Sequence, residues 1–444
     1  MKKFYLLFVF ISLLNADINI KDAWQKVLHV NESIKASSSE VERARLLKES
    51  AKSMYLPEIS LDGTYTRLSQ KLDMNIDIDL SPLGGPALSK SILLSDRDVF
   101  TAKLTLLWPL YTGGKIDATQ DIYSQLEIEN KAQMKLDKDK AFIKLVKVYY
   151  GVVMTKELLD TRKEAQKALK LHYENAKKLK DQGQIATIEL LNAQVKLDSA
   201  KIDTTKALHD HEITKLALFD MLDAQDLPSS RLFIDSYLKN EDYYKDNTLK
   251  NYAGLDIIKS KQKQNDSMII IEQAEYYPTF YAFGNYALHK DNSASLDDTL
   301  DWIAGVGVKY KFLSRSGRNE KIAAAKMLKN RLSHTLKQAQ KDLTLLVERT
   351  YKEMLQYKNE YEDLSSSLAL AKENLRLREL AFSEGLATSI DVVDAQTFLT
   401  GAKTKRLNAI YNFVQKISQL AVLSGQRELF FELEKNAIGI KINE

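Results

Sequence analysis

Two long stretches of the chain, 114–183 and 317–385, contain no proline and are bounded by glycines. In the second stretch, largely apolar residues recur at alternating steps of four and three, which is typical of a coiled-coil seam. The seam runs through Leu332, Leu336, Ala339, Leu343, Val347, Thr350, Met354, Tyr357, Tyr361, Leu364, Leu368, Ala371 and Leu375. The pattern predicts two helices of roughly 100 Å each. Because such a helix cannot fit inside a compact globule, it must lie along partner helices.

The chain consists of two similar halves, because three landmarks recur in the same order. These are Tyr-Xaa-Pro sequences ending at Pro57 and Pro278, glycine turns at Gly114 and Gly317, and related segments at 183–194 and 385–396. Each half therefore predicts a short helix, a strand, a loop, a strand, a long helix, a tight turn and a helix. The predicted segments are a leader at 1–16, a first repeat at 17–228, a connector at 229–247, a second repeat at 248–425 and a tail at 426–444.

Three of four candidate strand segments of about ten residues alternate apolar and polar side chains, as strands of a transmembrane barrel do. Their apolar positions include Ile59, Leu61 and Tyr65, then Phe100, Leu104, Leu106 and Trp108, and then Trp302, Ala304, Val306 and Val308, while 278–288 is apolar on both sides. A half-buried soluble sheet shows the same alternation. In lipid, however, open strand edges cannot be satisfied, and four strands are too few to enclose a pore. Several copies must then share one barrel, and three copies would supply twelve strands.

The first sixteen residues have the pattern of a secretory signal peptide, with Lys2 and Lys3 before an apolar run at 4–14. Elsewhere no run approaches the roughly 18 apolar residues of a membrane helix, so any membrane insertion is predicted to use strands. The absence of cysteine excludes disulfides, zinc–thiolate sites and cysteine nucleophiles. A net charge of only +4 gives no indication of a nucleic-acid partner.

Motifs for bond chemistry are not evident in the sequence, so we expect no enzyme activity, no cofactor and no metal site. His209 and His211 are two residues apart on a predicted helix and would face opposite sides, which prevents them from binding one metal ion together. Gly305 and Gly307 lie in a predicted strand, where small residues leave room for neighbouring side chains.

The chain resembles the outer membrane efflux proteins, the TolC family, over nearly all of its mature length. The motifs that carry the resemblance are Leu56-Pro57-Glu58, Trp108–Lys115, the paired turns Gln182–Glu189 and Glu384–Asp391, and the continuation Val392–Gln396. The resemblance implies an α+β membrane protein with a long helical coiled-coil barrel. It also implies four strands per chain in a trimeric, twelve-stranded transmembrane β-barrel with an internal two-fold repeat.

The same resemblance implies a function and a location. The chain would be the outer-membrane exit duct of a tripartite efflux or type I secretion system, with a helical tunnel in the periplasm. Its partners would be two further copies of itself, a periplasmic adaptor protein, an inner-membrane pump and outer-membrane lipid. A soluble periplasmic coiled-coil scaffold remains the alternative, and the cargo stays open between small molecules and secreted proteins.

The resemblance also assigns roles at the two turns. Asp391 and Asp394, which we call the gate residues, would line a narrow periplasmic entrance, although acids here also favour a helix start. Phe382 and Ala387 occupy positions where some family members have a tyrosine and an arginine that tether the closed tip, so Phe382 is a candidate hydrophobic latch. The predicted adaptor-docking residues are Gly183, Gln184, Ile185, Gly385, Leu386 and Ala387.

Two other regions receive expectations. The loop at about 70–98, including 81–86, is predicted to be flexible and external. The resemblance implies that 228–244 and the tail after Gly425 belong to a collar around the middle of the tunnel.

Overall fold

The computed structural model describes residues 17–78, 84–86, 88–235, 238–289, 300–313 and 315–439. The predicted leader at 1–16 lies outside the described residues. The chain divides into two compact units. The first unit comprises Met1–Glu40, Asn130–Ile257 and Leu336–Glu444, and the second comprises Val41–Glu129 and Ile258–Thr335. Each unit therefore draws on both halves of the sequence.

Helices account for most of the described residues. In chain order they are α1 (Ile20–Val30), α2 (Glu32–Lys52), α3 (Lys115–Asp181), α4 (Thr187–Leu222), α5 (Glu241–Asn251), α6 (Ala253–Ala274), α7 (Arg318–Ser383), α8 (Ser389–Leu423) and α9 (Arg427–Asn436). The predicted long helices are confirmed: α3 has 67 residues and α7 has 66. Along α7 the predicted seam is the buried side, since Val347, Thr350 and Met354 are at most 1% exposed.

The short helix predicted at the start of the first half is in fact two helices, because the chain breaks at Asn31. Asn31 has an extended backbone, and its side-chain oxygen accepts a hydrogen bond of 3.1 Å from the backbone N–H of Ile34. This side chain thus caps the start of α2 and ends α1. The second half has the corresponding break at Tyr252, between α5 and α6.

The strands are β1 (Asp17–Ile18), β2 (Glu58–Arg67), β3 (Leu72–Ile78), β4 (Leu88–Ser95), β5 (Asp98–Tyr111), β6 (Leu227–Pro228), β7 (Phe233–Ile234), β8 (Thr279–His289), β9 (Trp302–Lys309) and β10 (Ile438–Gly439). The second unit contains an antiparallel sheet in the order β2-β5-β8-β9, which corresponds to the four predicted strands. In the first unit, β1 pairs with β6 in parallel and β7 pairs with β10 antiparallel.

The segment at 70–98 was predicted to be a flexible external loop, but most of it forms a pair of strands. β3 and β4 form an antiparallel hairpin in which Met74 pairs with Ile92 and Ile76 with Lys90. The physical reason is a period-two alternation of Leu72, Met74, Ile76 and Ile78 with acids and an amide, which favours a strand. Of the predicted external segment 81–86, residues 81–83 lie outside the described residues.

The core of the first unit centres on α8. Its buried side includes Leu407, Ile410, Phe413, Val414, Ile417 and Leu420. Around it lies an aromatic cluster in which the ring of Phe142 is 5.6 Å from the rings of Phe430 and Phe431. Each such buried side chain stabilises the unit by roughly 1.5–3 kcal/mol. The predicted tail therefore contributes α9 to this core. Among the described residues, no helix is long and apolar enough to cross a bilayer.

Candidate functional site

The two tight turns, which we call the tip turns (182–189 and 384–391), end the long helices in the same way. Gly183 and Gly385 have φ angles of 73° and 71°, a left-handed conformation that glycine adopts without strain. After α3, the N–H of Gln184 donates to the carbonyl of Leu179 at 2.9 Å, and Gly183 donates to Lys180 at 2.9 Å. This is a Schellman cap, and the second tip turn repeats it.

The predicted adaptor-docking residues lie on these turns with different exposure. Leu386 is 82% exposed, which is unusual for a leucine in the described chain. Ile185 and Ala387 are half-buried against a small apolar cluster, which we call the tip cluster. Its buried members are Ala176, Ala193, Phe382 and Val392. The turns thus combine an exposed apolar tip with a packed base.

Of the two gate residues, Asp391 has a defined structural role. It forms a capping box with Thr388 at the start of α8, accepting hydrogen bonds from the Thr388 backbone N–H at 2.9 Å and hydroxyl at 2.7 Å. Arg378 Nη1 lies 3.3 Å from its other oxygen. These Thr388 bonds, with the Arg378 charge, lower the pKa of Asp391. Within one chain, Asp391 therefore stabilises the start of α8.

Asp394 lies one turn further along α8 and is exposed. Because residues three apart share a helix face, Asp391 and Asp394 form an acidic face at the second tip turn. The corresponding positions after the first tip turn are Glu189 and Asn192, both half-buried. The two tip turns therefore share a backbone geometry but differ in charge.

The latch candidate Phe382 is buried within its own chain, at 4% exposed. Its ring centroid lies 4.7 Å from that of His172 on α3, at an angle of 57°. Together with the tip cluster it packs the end of α7 against α3, α4 and α8. Phe382 therefore stabilises the tip from inside, and its latch role remains a prediction.

No pattern in the sequence singles out His172, Ser389 and Glu189 as a group. Nε2 of His172 shares a 2.7 Å hydrogen bond with Oγ of Ser389, and Glu189 accepts the Ser389 backbone N–H at 2.7 Å. Burial lowers the pKa of His172, although the Glu189 charge opposes the shift. Nothing in the local sequence pairs these residues, because the contact joins positions 217 apart.

The four-stranded sheet carries one continuous apolar face. Residues that pair across antiparallel strands point to the same side, so the register identifies the face. Its rows are Ile59–Leu106–Gly284–Ala304, Leu61–Leu104–Tyr286–Trp302 and Trp108–Ala282–Val306. Many of these side chains are exposed, including Leu61 at 65%, Trp302 at 67% and Val306 at 80%. The described residues leave this apolar face uncovered.

The opposite face explains the two strand glycines. A Cβ at Gly305 would lie 2.9 Å from Phe283 Cζ, and a Cβ at Gly307 would lie 2.5 Å from Tyr281 Cζ. The aromatic rings of β8 therefore cover the glycines of β9, as cross-strand aromatic residues can. The two glycines serve packing, as the sequence predicted.

The two neighbouring histidines contact different groups. His211 Nδ1 lies 3.1 Å from Thr155 Oγ1, whereas His209 Nδ1 lies 3.4 Å from Glu212 Oε2. Within the described ranges, no group of three His, Asp or Glu side chains is placed to hold a metal ion.

The family model for outer membrane efflux proteins matches residues 23–223 and 254–426. The chain belongs to the outer membrane efflux protein family. Comparison with the sequences of curated proteins yields no match.

Solved structures of outer-membrane channels share the fold of this efflux protein at low sequence identity. The open state of the Neisseria gonorrhoeae MtrE channel has a TM-score of 0.74 and 17% identity, covering 93% of this chain and 90% of that chain. The Campylobacter jejuni CmeC channel has a TM-score of 0.70 and 16% identity, with coverages of 95% and 90%. CusC has a TM-score of 0.76 and 13% identity, with both coverages at 92%.

Membership in this family confirms three predictions made from the sequence. The chain is an outer-membrane exit duct of efflux systems, its fold combines long helices with four paired strands, and it resembles the family whose motifs it carries. The family is one of transport ducts, not one of enzymes.

Proposed function

We propose that three copies of this efflux protein join into one duct, whose twelve-stranded barrel crosses the outer membrane and whose helices form a periplasmic tunnel. The observation that carries the proposal is the uncovered apolar face of the β2-β5-β8-β9 sheet. Exposed apolar faces of this extent mark contact with lipid or with another protein. In an outer-membrane protein, lipid can cover this apolar face without a second protein.

The strand order allows copies to close the sheet. β2 and β9 are its edge strands, and alternating antiparallel pairing makes them run in opposite directions. β9 of one copy can therefore continue the antiparallel pattern with β2 of the next. Since lipid cannot satisfy open edges, closure supplies the missing hydrogen bonds. Three copies give the twelve strands that the sequence analysis predicted.

A second apolar surface supports assembly through the helices. One side of α4 carries six exposed aliphatic side chains, the first four of which follow the heptad steps of three, four and seven. These residues are Ile188, Leu191, Val195, Ile202, Ile213 and Leu216. An exposed seam of this kind needs a second helix to cover it. A neighbouring copy in the tunnel wall would provide that helix.

In the assembled duct, the tip turns would form the periplasmic end. Three copies of Asp391 and Asp394 would make a ring of six carboxylates, which favours cations. The exposed Leu386 and its neighbours would dock on a periplasmic adaptor, which links the duct to an inner-membrane pump. The proposal includes the predicted domain organisation, which consists of a leader at 1–16, two structural repeats, a connector between them and a tail.

The experiment compares lysine substitutions on the two faces of β2. Leu61→Lys places a charge on the apolar face, whereas Ser60→Lys places it on the opposite face. A lysine facing lipid costs about 2–4 kcal/mol near the bilayer centre. We expect Leu61→Lys to reduce the trimer recovered from outer membranes and Ser60→Lys to leave it nearly unchanged. Equal recovery of both variants would overturn the assignment of a lipid-facing sheet.

A further inference from the structure

A buried polar link joins the two tip turns within one chain. His172 on α3 shares a hydrogen bond with the hydroxyl of Ser389, the first residue of α8. The backbone N–H of Ser389 donates to Glu189 in the first turn of α4. Ser389 of α8 thus contacts α3 through its hydroxyl and α4 through its backbone N–H.

The link is largely buried. His172 is 7% exposed, Ser389 is fully buried, and the imidazole packs at a tilt of 57° against the buried Phe382 ring. A buried polar group without its partner loses about 1–3 kcal/mol, so this contact favours one arrangement of the tip. The first backbone N–H groups of a helix have no partner within that helix. Glu189 accepts the hydrogen bond from one of them, the N–H of Ser389.

The charged groups around the imidazole come from every helix packed against it. Glu189 faces it from α4, and Glu379 from α7 lines a cavity beside it together with Lys178 from α3. On α8, the carboxylate of Asp391 is already bonded to Thr388 and paired with Arg378. Glu189 is therefore the carboxylate that acts on the His172 charge, and Glu379 is the carboxylate that shares its cavity.

A cavity beside the imidazole provides space into which the ring can rotate. It has a volume of about 440 Å³, and its lining includes His172, Asn175, Gln182, Glu379 and Phe382. This space is large enough for several water molecules. A charged imidazole could therefore turn from Ser389 toward solvent and Glu379 without displacing the backbone of α3.

We propose that His172 is a positioning residue for the gate, which holds the start of α8 through Ser389 while neutral and releases it when protonated. The proposal rests on the assignment of Asp391 and Asp394 to the gate, because these residues lie in the first turns of α8. Release of Ser389 would allow the acidic face to move relative to α4. Acidification would thus loosen the periplasmic end of the duct.

The direction of the pH effect follows from the linkage between proton binding by His172 and the stability of the packed tip. Burial lowers the pKa of His172 in the packed tip relative to a solvated imidazole. The packed tip therefore binds fewer protons than a loosened tip in which His172 is hydrated. Its stability is complete above the pKa of the solvated group and falls as the pH drops through that value.

Hydrogen exchange of the full-length protein in detergent tests the link without reference to conduction. Protection factors are compared at about pH 7.5 and about pH 5.5, which bracket a free imidazole. We expect protection of 389–395 to fall by about threefold or more on acidification, relative to the core segment 407–420. His172→Gln, which keeps polar groups but does not titrate in this range, should remove that pH dependence. His209→Gln, at an exposed histidine on α4, should retain it.

Two outcomes separate this inference from the function it rests on. If wild type and His172→Gln show the same pH dependence of protection at 389–395, the proposed link is overturned. The same samples are measured for conductance in planar bilayers at both pH values. A pH-dependent loss of protection that depends on His172 but leaves conductance unchanged would support the link and contradict the gate assignment. Ser389→Ala checks the contact independently, and it should weaken protection of 389–395 at about pH 7.5.

Discussion

Glu189 Oε2 accepts a hydrogen bond of 2.7 Å from the backbone N–H of Ser389, which lies 200 positions later in the chain. An acid at the start of α4 thus completes the first turn of α8. The two halves of the sequence are similar at their tip turns, yet here one half completes the other. The tip of this efflux protein is therefore a joint structure of both repeats.

Removal of that acceptor should loosen the tip. Glu189→Ala leaves the buried N–H of Ser389 without a partner, which costs about 1–3 kcal/mol. Glu189→Gln retains an amide oxygen and should cost less. Hydrogen exchange at 389–395 measures the difference, and the stretch 407–420 serves as the internal reference. Equal protection in wild type and Glu189→Ala would show that the bond does not hold α8.

The gate assignment predicts different effects for the two aspartates. Asp394 is exposed, so Asp394→Asn should reduce cation selectivity in planar bilayers without lowering thermal stability. Asp391→Ala should also remove the capping box, at a cost of about 1 kcal/mol. The double change Asp391→Ala and Asp394→Ala should further weaken block by divalent cations. Unchanged selectivity in all three variants would remove the gate assignment.

The burial of Phe382 predicts a large local effect of its truncation. Phe382→Ala leaves a cavity beside His172 and should destabilise the tip by about 3–5 kcal/mol. Phe382→Leu keeps much of the apolar volume and should cost less. Hydrogen exchange of the segment 375–395 is the measurement. If Phe382→Ala exchanged like wild type, the ring would not be part of the packing at the tip.

A buried carboxyl in the first unit predicts a pH dependence of stability. Burial raises the pKa of Asp139 to about 6, against the opposing charges of Arg427 and Lys135. Arg427 Nε lies 3.5 Å from its Oδ1. Because the folded state binds this proton more tightly than the unfolded state, the stabilising effect of protonation grows as the pH falls from about 6 to about 4. The effect amounts to at most about 3 kcal/mol.

Thermal unfolding of wild type and Asp139→Asn at about pH 7 and about pH 4 checks this prediction. Wild type should gain stability relative to the variant at the lower pH. Asp137→Asn is the matched control, because burial raises the Asp137 pKa but hydrogen bonds from Ser37, Lys140 and Gln133 lower it overall. Wild type should keep its stability relative to that variant down to about pH 4, because a lowered carboxyl pKa costs stability only once the pH falls below the ordinary pKa of aspartate. Parallel curves for wild type and Asp139→Asn would contradict the burial argument.

The repeated architecture could be predicted because apolar periodicity and the positions of glycine and proline can be identified within short segments of the sequence. The absence of proline predicted α3 and α7, a heptad seam supported α7, and the glycines at 183 and 385 predicted their ends. Alternation predicted three of the four paired strands, and an apolar run predicted β8. The break at Asn31 was missed because one capping side chain interrupted an otherwise continuous helical pattern. The β3–β4 hairpin was not predicted, because the glycines and prolines at 82–86 are typical of a loop, although residues 72–78 alternate as a strand does.

The candidate site was only partly predictable, since its contacts join distant parts of the chain. Capping by Asp391 follows from local sequence, because Thr388 precedes it by three positions. The link between His172 and Ser389 depends on how α3 and α8 pack, which no local pattern encodes. The uncovered sheet face needed the register between strands before its rows could be identified.

The central claim is that sister chains complete the wall of the duct. Its most direct test is the mass of the protein extracted from purified outer membranes in mild detergent, measured by light scattering during size-exclusion chromatography with and without prior heating. We expect a mass of three chains that falls to one chain after heating. A single-chain mass without heating, with the protein recovered in the soluble periplasmic fraction, would contradict it.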